Sequence, residues 1–89
     1  MAHSQEHTRA MVNRLSRAIG HQESIRDMVE QDRDCCEVLT QLAAVRSAIH
    51  NVGREILREH LHHCVADAVE NGDRQALDDL DAAIGRFLK

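Results

Sequence analysis

The sequence predicts an all-α protein, and three observations support this fold class. The 89-residue chain contains no proline, and Phe87 is its only aromatic residue, although strands usually draw on aromatic and β-branched residues. Ala, Leu, Arg, Glu and Gln are abundant, which favours helices. Apolar residues also recur at steps of three and four. Three modest helices would leave apolar surface uncovered, so we expect residues 1–89 to form a single domain that oligomerises.

The first predicted helix runs from about Glu6 to about Glu30. Its apolar residues recur at helical spacing and form one stripe, which consists of Met11, Leu15, Ala18, Ile25 and Met28. Such a stripe is the buried face of an amphipathic helix. Residues 31–33 are polar and interrupt the pattern, so we expect a short turn there.

The second predicted helix begins at Asp34, which with Glu37 resembles a capping box. Its apolar stripe alternates steps of three and four and consists of Val38, Leu42, Val45, Ile49, Val52 and Ile56. This pattern is typical of a long helix that packs against other helices. We expect the helix to continue to about Val69.

The third predicted helix covers about Arg74 to Leu88. The preceding segment Asn71-Gly72-Asp73 supplies a glycine for a left-handed helix end and an aspartate to cap the next helix. Four apolar residues then lie on one side: Leu77, Leu80, Ile84 and Phe87.

The composition also limits the class of function. The chain has no apolar run of membrane-spanning length and its N-terminus is polar, so we expect a cytoplasmic protein. Its three cysteines, two of them adjacent, make a poor disulfide framework. Cysteines near histidines in a cytosolic protein more often bind metal or perform redox chemistry. No arrangement of nucleophile and base suggests an enzyme.

His60 and Cys64 are the first candidates for a metal site. They are four residues apart on a predicted helix, so they project from the same face about one turn apart. A histidine nitrogen and a cysteine sulfur at that spacing can bind one metal ion. The alternative is that the pair is incidental, as most isolated pairs of this kind are.

Cys35 lies at the other end of the same predicted helix, 25 residues before His60. A straight helix separates the two by about 37 Å, so they cannot meet within one chain. Two antiparallel copies of the helix would bring Cys35 of one chain beside His60 and Cys64 of the other. Any site formed by all three must therefore lie at a subunit interface, with two sites per symmetric dimer. The alternative is that Cys35 is a small buried apolar residue; we interpret Cys36 as packing or incidental.

The residue types indicate which metal such a site would bind. Thiolates are soft ligands and imidazole is borderline, so two cysteines and one histidine suit Cu(I) or zinc better than magnesium or calcium. Structural zinc usually takes four protein ligands. A set of three therefore favours trigonal Cu(I).

Arginines form a second group of candidates, on the first two predicted helices. They are Arg9, Arg14, Arg17, Arg46, Arg54 and Arg58. Such groups bind DNA phosphates, and a dimer would double the patch. A solvated charged face is equally compatible with the pattern, and the formal charge of −4 argues weakly against nucleic acid. The sequence has neither a helix-turn-helix signature nor zinc-finger spacing.

Three segments in register resemble the CsoR/RcnR/FrmR family of repressors. Residues 14–22 (RLSRAIGHQ) resemble the family's "RLxRIxGH/Q" segment. Asp34-Cys35 with residues 38–46 (VLTQLAAVR) resembles "C..VL.QIaAVR". Residues 59–69 (EHLHHCVADAV) resemble the "(D/E)HxxHCVADA" segment of the copper-sensing members. The resemblance extends over essentially the whole chain.

This resemblance implies a fold and a mode of action. It implies a three-helix protomer, an antiparallel four-helix dimer core and a dimer of dimers. The apo tetramer of such repressors binds operator double-stranded DNA, and effector binding at an inter-subunit site weakens that affinity. By position, the resemblance assigns DNA contacts to Arg14 and Arg17, with Arg46 as a further candidate.

The resemblance also bears on the effector. Copper sensors match Cys35, His60 and Cys64, whereas nickel sensors of the InrS type add an N-terminal histidine, which His3 matches here. Persulfide sensors keep both cysteines but lack the histidine. We therefore predict a Cu(I)-responsive repressor of metal-export genes. The alternatives are a Ni(II)-responsive repressor with His3 as fourth ligand, and a thiol or persulfide sensor that uses Cys35 and Cys64.

One position departs from the copper-sensing pattern. Copper sensors often carry tyrosine before the first cysteine, and this chain has Asp34 there. The tyrosine belongs to a network that includes a carboxylate on helix three, for which Asp79 or Asp78 is the candidate here. Such groups orient a ligating histidine and transmit binding.

Overall fold

The structure is a computed structural model that describes residues 5–89, apart from the side chain of His62. It contains the α-helices α1 (Gln5–Glu30), α2 (Cys35–His60), α3 (Ala66–Glu70) and α4 (Arg74–Leu88), with a π-helical segment at Leu61–Val65. No β-strand occurs between residues 5 and 89, so the all-α prediction is confirmed. None of the described helices is long and apolar enough to cross a membrane.

Helix α1 ends in a turn whose left-handed position is occupied by an aspartate rather than by glycine. Asp32 adopts a left-handed conformation, with φ of 56°. Its amide donates to the carbonyl of Val29 at 3.0 Å, and the amide of Arg33 donates to the carbonyl of Met28 at 3.0 Å. These two bonds form a Schellman motif, which satisfies the last carbonyls of the helix.

Helix α2 begins directly after Asp34, as the sequence predicts. Asp34 Oδ2 accepts hydrogen bonds from the amides of Cys36 and Glu37 at 3.1 and 3.3 Å, which satisfies two of the amides that lack an intrahelical partner. The second half of the predicted capping box does not form. The Glu37 carboxylate instead pairs with Arg33 at 3.4 Å.

The chain divides into two compact units, residues 5–54 and residues 55–89. In the first unit, α1 and α2 bury residues at seven-residue intervals: Met11, Ala18 and Ile25 on α1, and Val45 and Val52 on α2. This spacing is typical of coiled-coil packing. The other members of the predicted stripes are more exposed, including Leu15, Leu42 and Ile49 at 39%, 44% and 43%.

In the second unit, the predicted helix continues to Glu70 but changes its hydrogen-bonding pattern on the way. The backbone at His60, Val65 and Ala66 stays right-handed helical, while Leu61–Val65 is π-helical. An uninterrupted α-helix was therefore the wrong prediction here. A π turn adds one residue to a turn, and an apolar period of three and four contains nothing that marks such an insertion.

The turn before α4 matches the prediction. Gly72 is left-handed, with φ of 65°. The amide of Asp73 donates to the carbonyl of Ala68 at 2.8 Å, which repeats the motif at the end of α1. Asp73 then caps α4, since its Oδ1 accepts from the amide of Ala76 at 3.0 Å. Helix α4 contacts α3, on which Ala68 is buried.

Candidate metal centre and nucleic-acid interface

The structure brings together two of the predicted metal ligands. His60 is the last residue of α2, and Cys64 lies within the π-helical segment. The Nδ1 atom of His60 lies 3.0 Å from the Sγ atom of Cys64, and both side chains are half-buried. Bonds of about 2.0 Å to nitrogen and 2.3 Å to sulfur are typical of such metal sites, so one ion can contact both atoms. π turns are frequent at functional sites.

The neighbouring histidine in this segment is engaged elsewhere. His63 Nε2 lies 3.6 Å from Glu59 Oε1, four residues earlier. Its side chain is 50% exposed, whereas His60 and Cys64 are half-buried. The structure thus pairs His60 with Cys64, as the four-residue spacing predicts, and His63 with Glu59.

Cys35 is the first residue of α2, in the other unit of the chain. It is an exposed, free cysteine, as is Cys36 beside it. The alternative to a ligand role, a buried apolar Cys35, therefore does not hold in the single chain. The two cysteines differ in surroundings, because Cys36 lines a cavity of about 430 Å³ with residues that include Arg33 and Glu37.

A single chain does not supply a complete metal site in the part of the molecule that the structure describes. No group of three or more His, Cys, Asp and Glu residues among these residues could hold a metal ion. The pair His60 and Cys64 has one borderline and one soft donor, which fits Cu(I), Ni(II) or zinc. A metal ion bound there needs further ligands. His3, the predicted fourth ligand for nickel, lies outside the described residues.

Asp78 and Asp79, the predicted carboxylates of the coupling network, are both exposed on α4. Asp79 Oδ1 accepts a hydrogen bond of 2.9 Å from the Nε2 amide of Gln75. Asp34, which departs from the predicted copper-sensor pattern, acts as the cap of α2.

Two of the predicted DNA-binding arginines share one cavity. Arg14 and Arg17 line a cavity of about 300 Å³ between α1 and α2. The other lining residues are Ala18, His21, Ala48, Asn51 and Val52. Arg46 is exposed on α2 and does not line this cavity.

Charge is distributed unevenly over the first unit. Residues 7–22 and residues 38–54 contain five arginines and three histidines but no aspartate or glutamate. Arg26 forms an ion pair with Glu30 on α1, and Arg33, in the turn, pairs with Glu37 of α2; in the second unit Arg58 pairs with Glu55. Within residues 5–89, by contrast, no carboxylate lies within ion-pair distance of Arg14, Arg17 or Arg46. These three side chains are exposed.

Sequence reasoning missed two residues of this region. His21 and Asn51 line the arginine cavity, and neither was assigned a role. A hydrogen bond of 2.6 Å joins His21 Nε2 to Gln41 Oε1 across the two helices. The two acid-free stretches were the available signal, because antiparallel pairing places residues 7–22 against the middle of α2.

Residues 7–86 match the sequence family described as metal-sensitive transcriptional repressors. The chain belongs to this family. Among curated proteins, the repressor is 44% identical over 80 residues to the copper-sensing transcriptional repressor CsoR of Bacillus subtilis, an alignment that covers 89% of this chain and 79% of that protein. The resemblance drawn from the three sequence segments is thus confirmed.

Two solved structures have the same fold as the repressor. The crystal structure of the copper-sensing repressor CsoR with Cu(I) from Geobacillus thermodenitrificans NG80-2 superposes with a TM-score of 0.91 at 33% identity, covering 100% of this chain and 94% of that one. The nickel-responsive transcriptional regulator InrS superposes with a TM-score of 0.77 at 44% identity, covering 98% and 99%. Sequence identity is thus higher with the nickel regulator, whereas backbone similarity is higher with the copper sensor.

Proposed function

We propose that this metal-sensitive repressor responds to Cu(I). In this proposal the metal-free protein binds operator DNA, and Cu(I) bound by Cys35, His60 and Cys64 releases it, so that metal-export genes are transcribed in the cytoplasm. The observation that carries the proposal is the pairing of His60 Nδ1 with Cys64 Sγ at 3.0 Å. The copper-sensing relative in Bacillus subtilis and the Cu(I)-bound structural neighbour support the choice of metal.

The third ligand in this proposal comes from a second chain. Cys35 and His60 are the first and last residues of α2, and a regular helix of that length keeps its ends about 37 Å apart. Cys35 is exposed, and an antiparallel second copy would bring it to the partner's His60 and Cys64. Exposed apolar residues on both helices, among them Leu15 and Leu42, support such pairing, because a second chain would remove them from water.

The proposed assembly is a dimer that pairs again into a tetramer. A symmetric dimer would contain two equivalent metal sites, one at each end of the paired α2 helices. Four copies of Arg14, Arg17 and Arg46 would then face the DNA, with contacts mainly to its phosphates. Because binding is linked, a metal that weakens DNA binding must itself bind less tightly to the DNA-bound protein.

Cys35, His60 and Cys64 would hold the Cu(I) ion, which would act as a soft Lewis acid toward the two thiolates and the imidazole. In this proposal, residues of the chain transmit metal binding to the DNA-binding surface. His60 sits at the junction of α2 and the π-helical segment, so a ligand that fixes its imidazole against Cys64 also fixes this junction. Because α2 also carries Arg46 and Gln41, a change in that helix reaches the surface proposed for DNA.

The proposal is tested by fluorescence anisotropy of a labelled duplex taken from the gene's own upstream region. The full-length protein is added without metal and then with one equivalent of Cu(I) per chain, under anaerobic conditions. We expect tight binding without metal and release with Cu(I). A scrambled duplex of equal length is the control for sequence-independent binding to phosphates. Rising salt weakens such binding to either duplex, so only the difference between the two duplexes reports recognition of the operator.

The same assay distinguishes the alternatives. If Ni(II) releases the DNA where Cu(I) does not, and if His3→Ala abolishes that release, the effector is nickel. If persulfide or peroxide releases the DNA and mass spectrometry shows chains linked through Cys35 and Cys64, the protein is a thiol sensor. If the protein binds neither the upstream duplex nor the scrambled one, the result would contradict a DNA-binding function.

A further inference from the structure

The cavity between α1 and α2 has the chemistry of an anion site. Its apolar lining consists of Ala18, Ala48 and Val52, and its polar lining consists of Arg14, Arg17, His21 and Asn51. Guanidinium and carboxamide groups supply N–H donors, and the guanidinium fork matches two oxygens of a phosphate. None of the lining residues carries a carboxylate.

The surroundings of the cavity also favour an anion. Its lining residues all belong to the two acid-free stretches, residues 7–22 and residues 38–54. The guanidinium groups of Arg14 and Arg17 have no ion-pair partner within the described part of the chain. Two positive charges therefore meet at one opening without internal neutralisation, which concentrates negative ligands there.

His21 is held in place by a residue on the opposite helix. Its Nε2 lies 2.6 Å from Gln41 Oε1, and the contact is half-buried. With the Nε2–H donated to Gln41, the ring has its Nδ1 left for a ligand, and Nδ1 donates in the protonated imidazole. Gln41 is thus a positioning residue, and His21 is placed at the wall of the arginine cavity.

We infer that this cavity binds one phosphate of the DNA backbone, and that His21 and Asn51 bind that phosphate together with Arg14 and Arg17. The inference rests on the proposed DNA binding and adds two residues and a defined pocket to it. Phosphate contacts of this kind fix the orientation of a protein on the duplex without reading its sequence.

The test compares His21→Ala and Asn51→Ala with Asn13→Ala, an exposed α1 residue outside the cavity. Anisotropy with the upstream duplex gives the affinity of each full-length variant, and circular dichroism confirms its helical content. A hydrogen bond to a charged group contributes enough for us to expect a loss of about tenfold for His21→Ala. Affinities of His21→Ala and Asn51→Ala equal to that of Asn13→Ala would overturn the inference.

A double-mutant cycle shows whether His21 and Arg14 contact the same phosphate. If they do, the loss in His21→Ala/Arg14→Ala falls short of the product of the single losses by about threefold or more. The pair His21→Ala and Arg46→Ala is the matched control, because Arg46 lies outside the cavity. For this pair, the loss of DNA affinity in the double variant should equal the product of the two single losses. Multiplicative losses in both pairs would contradict a shared phosphate.

A duplex with single neutral methylphosphonate linkages locates the phosphate itself. One linkage in each half-site should weaken wild-type binding, and it should weaken binding by His21→Ala by a smaller factor, because one of the groups that contact this phosphate is already missing in that variant. A titration with inorganic phosphate, followed through the imidazole NMR signals, separates a free anion from the DNA backbone. If inorganic phosphate shifts the His21 signals while no linkage gives the expected pattern, the cavity binds a free anion and the inference is wrong.

These outcomes separate the inference from the function on which it rests. If the wild-type protein binds DNA and Cu(I) releases it, but His21→Ala and Asn51→Ala behave like Asn13→Ala, only the inference fails. If the wild-type protein binds no DNA, the proposed function itself fails.

Discussion

The two units of the chain carry different candidate sites. Residues 5–54 carry the acid-free stretches, the arginine cavity and a regular heptad core. Residues 55–89 carry the His60–Cys64 pair, a π-helical segment and eight of the fifteen acidic residues of the chain. The residues proposed to contact DNA therefore lie in one unit, and the pair proposed to bind metal lies in the other. Helix α2 is the element that belongs to both units.

The difference also explains why the overall charge is misleading. A formal charge of −4 argues against nucleic acid only if charge is evenly spread. Here the carboxylates are absent from residues 7–22 and 38–54, which leaves a local excess of arginine. Local distribution, rather than the sum, determines whether a phosphate backbone is attracted.

The largest predicted effect concerns the two adjacent cysteines. We expect Cys35→Ala to lower Cu(I) affinity by more than about 100-fold, since loss of a ligand costs more than loss of a group that merely orients one. Metal-free DNA binding should remain. Competition with a chromogenic Cu(I) chelator measures the affinity. Cys36→Ala is the matched control. An equal loss of Cu(I) affinity in that variant would contradict the assignment of Cys35, rather than its neighbour, as the ligand.

The second predicted effect concerns the arginines of the first unit. Arg14→Ala and Arg17→Ala should each weaken DNA binding on the order of tenfold at physiological salt and reduce its dependence on salt. Anisotropy titrations at several salt concentrations measure both quantities. Arg26→Ala is the control, because Arg26 is ion-paired with Glu30 at 3.9 Å. A loss in that variant as large as in Arg14→Ala would indicate a general charge effect.

A smaller effect compares the turns that end α1 and α3. Both are Schellman motifs, but the left-handed position is Asp32 in one and Gly72 in the other. Gly72→Ala should destabilise the protein by about 1 kcal/mol, because a side chain is strained there. Asp32→Gly should stabilise it by about 0.5 kcal/mol. Denaturant unfolding measures both, and stabilisation by Gly72→Ala would contradict the assignment of that turn.

The smallest predicted effect concerns the histidine beside the metal pair. His63 faces Glu59 at 3.6 Å, so His63→Ala should change Cu(I) affinity by no more than about twofold, as expected for an exposed ion pair. The same chelator competition measures this affinity, and His60→Ala is the comparison variant, which should no longer bind Cu(I) tightly. If His63→Ala loses the metal and His60→Ala keeps it, the ligand assignment is reversed.

Local signals predicted most of the helix boundaries. The end of α1 at Glu30 and the start of α4 at Arg74 were predicted correctly, because a polar turn marks the first and the pair Gly72-Asp73 marks the second. Asp34 and Asp73 cap their helices as predicted. The π-helical segment was not predicted, since one inserted residue leaves no trace in an apolar period. Leu42 and Ile49 belong to the predicted stripe, yet they remain exposed in one chain.

The site was predictable only where spacing within one helix decides it. His60 and Cys64 meet because they are four residues apart. The contact between His21 and Gln41 depends on how α1 and α2 pair, and a single sequence gives that register only approximately. The role of Cys35 depends on a second chain, so it stays a prediction.

The central claim is that each metal site is shared between two chains, and mixing two inactive variants tests it most directly. Neither Cys35→Ala nor Cys64→Ala alone should bind Cu(I) tightly. When the two are unfolded together and refolded at equal concentrations, half of the dimers are mixed, and each mixed dimer rebuilds one complete site. We expect about one quarter of the wild-type Cu(I) capacity to return, at wild-type affinity. If no tight binding returns in the mixture, the site is not formed by Cys35 of one chain with Cys64 of the other.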